Sequence, residues 1–311
     1  MKIAVLGDLL YDCFIWADRL PRKGETVTGF KNGFFAGGKG GNQAVQAARL
    51  GAEVHMIGKV GQDDRGRFLV ESLEREGIHT EYVFRDPAVD TGTDCVMIDG
   101  KGDNLIIVAP LANDKITAEE IRRAAPLIES ADILLSQLQI NEEAITEALK
   151  IAKAAGVCTV LNPAPAREMP GEYYQLADYL TPNETEAEFF TGCYQADYEP
   201  EIWKQKVIET FRKKGVRNLI VTLGAEGALY AGEKESYQIP PFQVEAVDTT
   251  AAGDAFNAAF CIRLAQGASV DEAARYGNAA GAMTAAAYGS LPSMPTKEAL
   301  ELFLVQSRSD L

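Results

Sequence analysis

Histidine is nearly absent. The 311-residue chain has two, His55 in a strand-like apolar run and His79 just past an expected helix end. Neither stands at a metal-ligand spacing, so both are read as structural, and catalysis by a histidine base is not expected. Cysteine is scarce and scattered: Cys13, Cys95, Cys158, Cys193 and Cys261 include no CxxC pair. An odd, dispersed set in mostly apolar contexts reads as reduced, buried thiols, not as a disulfide frame or zinc site. Basic residues are outnumbered, 30 Lys and Arg against 45 Asp and Glu, for a formal charge of −15. That balance argues against a nucleic-acid partner, which needs a basic surface, but leaves room for a small anion in a local pocket. No apolar run approaches the ~20 residues that span a bilayer. The opening Met-Lys-Ile-Ala-Val-Leu-Gly-Asp reaches Asp8 too soon for a secretory leader. No membrane partner is expected, and the cytoplasm is the expected compartment.

What is present has a globular composition, 47% apolar and 24% charged. Short apolar runs at 3–7, 54–60, 133–136, 157–161 and 219–222 read as strands. Amphipathic segments at 42–50, 64–76 and 142–155 read as helices, and each stops at a glycine, Gly51, Gly77 or Gly156. This alternation predicts an α/β fold with a mainly parallel central sheet and helices on both faces. Ligands of such sheets bind beyond the carboxyl ends of the strands. Residues 10–35 and 91–109 break the rhythm with β-prone sequence, and Asp99-Gly100 after Cys95-Val96-Met97-Ile98 suggests a hairpin. Paired as a small side sheet, these stretches would form a lid over the cleft and offer a surface for a homodimer. With no repeat or linker, residues 1–311 read as one domain carrying that lid.

Residues 248–257, Asp-Thr-Thr-Ala-Ala-Gly-Asp-Ala-Phe-Asn, place a small-residue turn at the mouth of a helix expected over 251–266. Ala251, Ala252 and Gly253 leave the first-turn N–H groups approachable by an anion, which the helix dipole attracts. Asp254, in that positive end, could accept a proton from an incoming hydroxyl. An anion cradle beside a base is what phosphoryl transfer to an alcohol requires. The same residues also describe a helix capped by Asp248 or Thr250, with Asp254 only complementing the dipole.

The second glycine cluster, Gly33-Phe-Phe-Ala-Gly-Gly-Lys-Gly-Gly-Asn-Gln43, fits neither familiar phosphate loop. Gly40 stands where a P-loop has Ser or Thr, and a dinucleotide fingerprint would need a third glycine. Two readings remain: backbone closely approached by a ligand with Asn42 facing a polyol, or a flexible turn with Asn42 as N-cap.

Together these segments resemble the ribokinase (PfkB) family of carbohydrate kinases. Gly37-Gly38-Lys39-Gly40-Gly41-Asn42-Gln43-Ala44 resembles its amino-terminal motif, and 248–254 its carboxy-terminal one. The stretches Leu161-Asn162-Pro163-Ala164-Pro165-Ala166-Arg167, Thr181-Pro182-Asn183-Glu184-Thr185-Glu186-Ala187-Glu188 and Val221-Thr222-Leu223-Gly224 are similar to the family in order and spacing. The resemblance implies ATP-dependent phosphorylation of the terminal primary hydroxyl of a small sugar. Asp254 would be the base, and the backbone at Ala252 and Gly253 the anion hole. Asn183 and Glu186 would serve the ATP phosphates and Mg²⁺, Thr222, Gly224 and Gly227 the nucleotide, and Asn278 the adenine side. Asp248, Thr250, Thr284, Ala287, Gly289 and Ser293 match loops that hold a monovalent cation, expected to be K⁺.

Asp12, Gly38, Lys39, Asn42 and Asp254 fall on the sugar side. Two further positions depart from the family: Leu10 stands for an asparagine and Gln139 for a glutamate. Leu10 cannot hydrogen-bond, and a buried hydroxyl without a partner costs about 1–3 kcal/mol, roughly ten- to hundredfold in affinity. Ribose, a deoxypentose or a ketohexose are the candidate acceptors, with preference for one that lacks or turns away that hydroxyl. A sugar-phosphate kinase would draw on Lys39, Arg167 or Lys101, and a nucleoside kinase on Phe14, Trp16 or Phe34. A non-catalytic sensor would be expected to lose Gly253 or Asp254, and both are present.

Overall fold

The computed structural model describes residues 1–101 and 104–309. Strand β1 (Lys2–Leu6) is followed by a hairpin of β2 (Leu10–Ala17) and β3 (Gly29–Gly37), then by β4 (Glu53–Gly61) and β5 (His79–Asp86). A second hairpin, β6 (Thr93–Ile98) and β7 (Asn104–Ala109), precedes β8 (Ile133–Gln137), β9 (Cys158–Asn162) and β10 (Tyr179–Leu180). The last strands are β11 (Asn218–Thr222), β12 (Ala228–Ala231) and β13 (Ser236–Ile239).

Nine of these form one sheet in the order β13-β12-β11-β10-β9-β8-β1-β4-β5, parallel from β11 to β5 and antiparallel at the β12–β13 edge. Alternate side chains of β1 enter opposite cores. Ile3 and Val5 pack with Val45, Phe256 and Phe260 on one face, Ala4 and Leu6 with Leu134, Ile145 and Leu149 on the other. A strand buried on both faces must be apolar at every position, which is why these strands read as unbroken runs. The Glu142–Ala155 helix has the bounds expected, with the Asn141 side chain accepting from the Glu143 N–H and Gly156 closing it at φ 75°. The helix after the glycine cluster starts earlier than expected. It spans Lys39–Arg49, with Gly38 at φ 86° as its N-cap, so Asn42 lies inside the helix and caps nothing.

The remaining four strands form the expected side sheet, in the order β3-β2-β6-β7. Each hairpin is antiparallel, and β2 joins β6 in parallel. Gly102 and Asp103, within the 91–109 stretch, lie outside the described residues. Period-two alternation turns Leu10, Asp12, Phe14 and Trp16 toward one face of this sheet. The other face carries Tyr11, Cys13 and Ile15. All five cysteines are free, but only Cys261 is buried; the other four are half-buried, because two sit in this thin sheet and two near the rim of the core. Among the described residues no helix is long and apolar enough to cross a membrane.

The two histidines meet across β4 and β5, their rings stacked at 4.3 Å between centroids. Glu53, His55 and His79 bring one potential ligand atom each to within 4.8 Å of the others, a grouping no linear spacing announces. His55 is already satisfied, its Nδ1 2.7 Å from Glu81 and its Nε2 3.0 Å from Glu53, so the cluster closes on itself as a cross-strand polar patch.

The turn from β1 into β2 is held by one buried amide. Asn113 accepts from the Leu9 N–H at 2.9 Å and donates to the Leu9 carbonyl at 2.9 Å, replacing the ladder partner that this residue lacks. Removing the amide orphans two buried backbone groups. Asn113→Ala is expected to lower unfolding free energy by about 2–4 kcal/mol, measured by urea denaturation. A loss under about 0.5 kcal/mol, the scale of an ordinary surface change, would refute this account.

Candidate active site

A cavity of about 640 Å³ lies between the carboxyl edge of the large sheet and the inner face of the side sheet. That volume suits a small-molecule ligand. The sheet's parallel strands end here, and the loops that leave them supply polar groups. Leu10, Asp12, Gly38, Lys39, Asn42 and Gln139 line the cavity, as do Asp248, Thr250, Asp254 and Gly289. Every residue expected on the sugar side is therefore in one place.

Asp254 sits in the first turn of the Ala252–Ala265 helix and is buried. Both of its carboxylate oxygens are held from the Lys39–Arg49 helix. The Asn42 Nδ2 donates to Oδ2 at 3.1 Å and the Gln43 Nε2 donates to Oδ1 at 2.9 Å. Gln43 is fixed in turn, donating also to Asn162 Oδ1 and accepting from Gln137 Nε2. Burial pushes the Asp254 carboxyl above its ordinary range, against the pull of the Lys39 charge and the two amides. Gln43 and Gln137 were absent from the expected site. Gln43 was visible beside Asn42, but only the approach of two helices makes it a ligand of Asp254.

The helix mouth carries no side-chain cap, and its N-cap residue, Ala251, adopts a left-handed conformation at φ 62°. Asp248 is not a cap either. Its Oδ1 accepts from the Thr250 N–H and its Oδ2 from the Gly289 N–H, each at 3.0 Å. The Ala252 N–H donates to the Thr249 carbonyl at 3.2 Å. Gly253 and Asp254 keep first-turn N–H groups with no intrahelical partner.

The bond from Gly289 ties the 248 turn to the 284–293 stretch, as do bonds from the Val247 and Asp248 N–H groups to the Ala285 carbonyl. Burial raises the Asp248 carboxyl, but the Thr250 and Gly289 donors outweigh it and hold the group below its usual range. Thr284 Oγ1 is buried without a hydrogen-bond partner among the described residues. The Ala287 N–H reaches the Thr284 carbonyl at 3.2 Å, and Ser293 Oγ donates to the Ser290 carbonyl. The six residues expected around a cation thus lie on the 248 turn and on the adjoining 284–293 stretch, which runs from one helix end into the next.

The nucleotide-side residues form a second group outside the cavity lining. Asn183 and Glu186 make a reciprocal capping box: the Glu186 N–H donates to Asn183 Oδ1 at 2.8 Å, and the Asn183 N–H to Glu186 Oε2 at 2.9 Å. Asn183 also bridges Thr222 in parallel. Gly227, at φ 91°, packs so closely that a Cβ would stand 2.2 Å from the Ile239 carbonyl. Asn278 donates to the next carbonyl, Pro240, at 3.0 Å. Thr222, Gly224 and Gly227 are therefore one turn beside Asn183, and Asn278 holds the segment this turn rests on. Lys39 links the two groups electrically. Burial lowers its ammonium, but Asp254, Asp8 and Glu186 together lift it above its ordinary value. Burial likewise raises Glu186 to about 7, against the Asn183 N–H and Lys39.

Other residues move. Phe34 stacks on Tyr11 outside the cavity, while Phe35 lines it with Phe14 and Trp16, because alternation along β3 sends neighbours to opposite faces. Arg167 is spent on the Ile140 carbonyl at 2.7 Å, and neither it nor Lys101 lines the cavity. Lys31 does, its ammonium 4.4 Å from the centre of the Trp16 ring.

Asp8, also overlooked, is fully buried at the end of β1, its Oδ1 accepting from the Gly40 N–H at 3.0 Å. Burial lifts its carboxyl to about 6, opposed by that N–H and by Lys39. The native state therefore holds the Asp8 proton more tightly than the unfolded chain does. Its contribution is full below the unfolded value of 3.8 and lost as pH rises through about 6. Asp8→Asn should add about 1–3 kcal/mol of stability at pH 8, and about half as much at pH 5. Urea unfolding at the two pH values checks this, and an equal gain at both would contradict it.

The chain matches the pfkB family of carbohydrate kinases over residues 1–297. It is 38% identical over 303 residues to the ribokinase of Bacillus subtilis, covering 97% of this chain and 99% of that one. It is 34% identical over 307 residues to the deoxyribokinase of Salmonella typhi, covering 98% and 99%. The structure of Arabidopsis thaliana ribokinase, complexed with ribose and ATP, superposes with a TM-score of 0.88 at 30% identity, covering 97% and 98%. With that match running along nearly the whole chain, and a buried carboxylate at an uncapped helix mouth facing a cavity, the protein belongs to the pfkB family of carbohydrate kinases.

Proposed function

We propose that the protein transfers the terminal phosphoryl group of ATP to the primary hydroxyl of a small sugar, as one domain with a lid. The observation that carries this reading is Asp254, buried in the wall of the cavity and at the open mouth of the Ala252–Ala265 helix. A hydroxyl placed against Asp254 gives up its proton to a carboxylate whose affinity for it burial has raised. The Gly253 and Asp254 N–H groups face the developing negative charge. Asn42 and Gln43 fix the carboxylate in rotation, so little reorganisation accompanies the transfer.

The capping box leaves Glu186 buried with its charge beside Lys39. A hard cation fits oxygen donors of this kind, so Asn183 and Glu186 would hold the phosphates and the hydrated Mg²⁺, which supplies charge neutralisation when bound. The buried Thr284 Oγ1 and the Asp248 carboxylate fit K⁺, with backbone oxygens of Thr250, Ala287, Gly289 and Ser293 completing the set. Bound there, K⁺ would stiffen the helix mouth from behind.

Leu10 lines the cavity at 3% exposure, so it takes no hydroxyl, and Gln139 offers a neutral amide. This favours an acceptor that presents no hydroxyl to Leu10. The aromatic trio Phe14, Trp16 and Phe35 supports a second reading, a nucleoside acceptor stacked on the lid. The lid's exposed Phe34, Leu105 and Ile107 support a homodimer through this sheet. Five free thiols accord with the cytoplasm.

ADP release should be measured for D-ribose, 2-deoxyribose, ketohexoses and nucleosides, with K⁺ and with N-methylglucamine in its place. Sugar turnover is expected, and it should be faster with K⁺. Ribose turned over far faster than every deoxy and hexose analogue would overturn the role given to Leu10. Asp254→Asn should cut kcat by about 10²–10⁴-fold while ATP and sugar binding stay within a few-fold. A sensor would be indifferent to it. For the dimer, sedimentation should give a two-chain species that Ile107→Glu converts to monomer, and a monomeric parent would rule it out.

A further inference from the structure

We propose that Asp94 is a specificity-determining residue of the acceptor pocket, gripping with Asp12 two hydroxyls on neighbouring carbons of the sugar. The inference rests on the sugar-kinase reading of the same cavity and narrows its substrate class. Asp12 on β2 and Asp94 on β6 are register partners across a parallel strand pair, where adjacent chains run about 4.8 Å apart. Both line the cavity. Asp12 Oδ1 and Asp94 Oδ1 each lack a hydrogen-bond partner among the described residues. Apolar side chains flank the pair on its own face, Leu10 and Phe14 along β2 and Val96 along β6.

Two carboxyl groups side by side in such a setting are costly unless something is gained. Neither group forms a salt bridge among the described residues; their contacts within the lid are with each other and with the Cys13 backbone. Burial raises both carboxyls. The Asp94 charge raises Asp12 further, while Asp12 and the Cys13 backbone oppose the rise at Asp94. Each carboxyl therefore holds a proton more readily than it would in water, and the pair offers several oxygens to a hydroxyl. Gly37 keeps the Asp12 carboxyl in place, since a Cβ there would stand 1.9 Å from its Oδ2. Two such groups, one strand spacing apart, match hydroxyls on adjacent ring carbons. A 2-deoxypentofuranose lacks that adjacent ring pair, whereas ribofuranose and ketohexofuranoses have it. Leu10, on the same face two residues away, offers no hydrogen bond, so the hydroxyls that are gripped are read by the lid's acid pair.

The test uses two independent readouts, steady-state kinetics and sugar-dependent fluorescence of Trp16, which lines the cavity. The other tryptophan, Trp203, is buried in a helix of the core and serves as constant background. Asp94→Asn and Asp94→Ser are compared with the parent on D-ribose, a ketohexose and 2-deoxyribose, with thermal melts to verify folding. Both variants should raise KM and fluorescence Kd about tenfold or more for the two sugars with adjacent hydroxyls. The values for 2-deoxyribose should stay within about twofold, and kcat should change much less than KM. Unchanged KM and Kd on every sugar, or equal losses on all three, would overturn the proposal. A parent that binds none of the sugars would instead sink the sugar-kinase reading itself, and this inference with it.

Discussion

The site depends on a contact between two helices that enter from distant parts of the chain. The Lys39–Arg49 helix delivers Asn42 and Gln43 to the two oxygens of Asp254, at the mouth of the Ala252–Ala265 helix. That approach is possible because glycine backbones cross where side chains would collide. A Cβ on Gly40 would stand 2.7 Å from the Gly7 Cα and the Asp8 N, and one on Gly7 would meet Gly40 at the same distance. Any larger residue at either place would push the first helix off the end of β1. The amides would then leave Asp254, a buried carboxylate that has no salt-bridge partner among the described residues to replace them. The capping box at Asn183, the turn at Thr222 and the loop tied to Asp248 are all arranged around this junction.

Electrostatics make the junction directional. The chain is acidic overall, yet Lys39 stands among Asp8, Asp254 and Glu186, and the helix mouth adds unpaired N–H groups. Lys39 and those N–H groups are what offset the surrounding carboxylates at this junction. Burial lifts Asp8, Glu186 and Asp254 together. Each carboxyl thus holds its proton more tightly than it would in water.

Legibility in the sequence followed burial. β1, β4, β8, β9 and β11 were readable because strands covered on both faces must be apolar throughout, and the Glu142–Ala155 helix because its cap and terminal glycine are local. The start of the Lys39–Arg49 helix was not readable. A glycine run has the signature of a loop, and Gly40 and Gly41 are helical here because tertiary crowding leaves no room for a Cβ on Gly40. Phe34 and Phe35 were interchanged for the same kind of reason, since the inward face of β3 is set by its pairing with β2. Asp94 and Asp12 could not be joined from sequence, because the parallel pairing of β2 and β6 is a relation between two hairpins.

The sequence by itself determined the chemistry on offer: an α/β sheet, two clusters of small residues and a carboxylate in the first turn of a helix. These are local patterns, set by periodicity, by capping and by the conformational freedom of small residues. Only the tertiary structure decided which of those groups meet. It assigned Gln43 to Asp254, bonded the Ala252 N–H to the Thr249 carbonyl, and set Asp94 beside Asp12 in the lid. Such contacts depend on how close two backbones approach and which face of a strand turns inward, and both follow from packing across the whole chain.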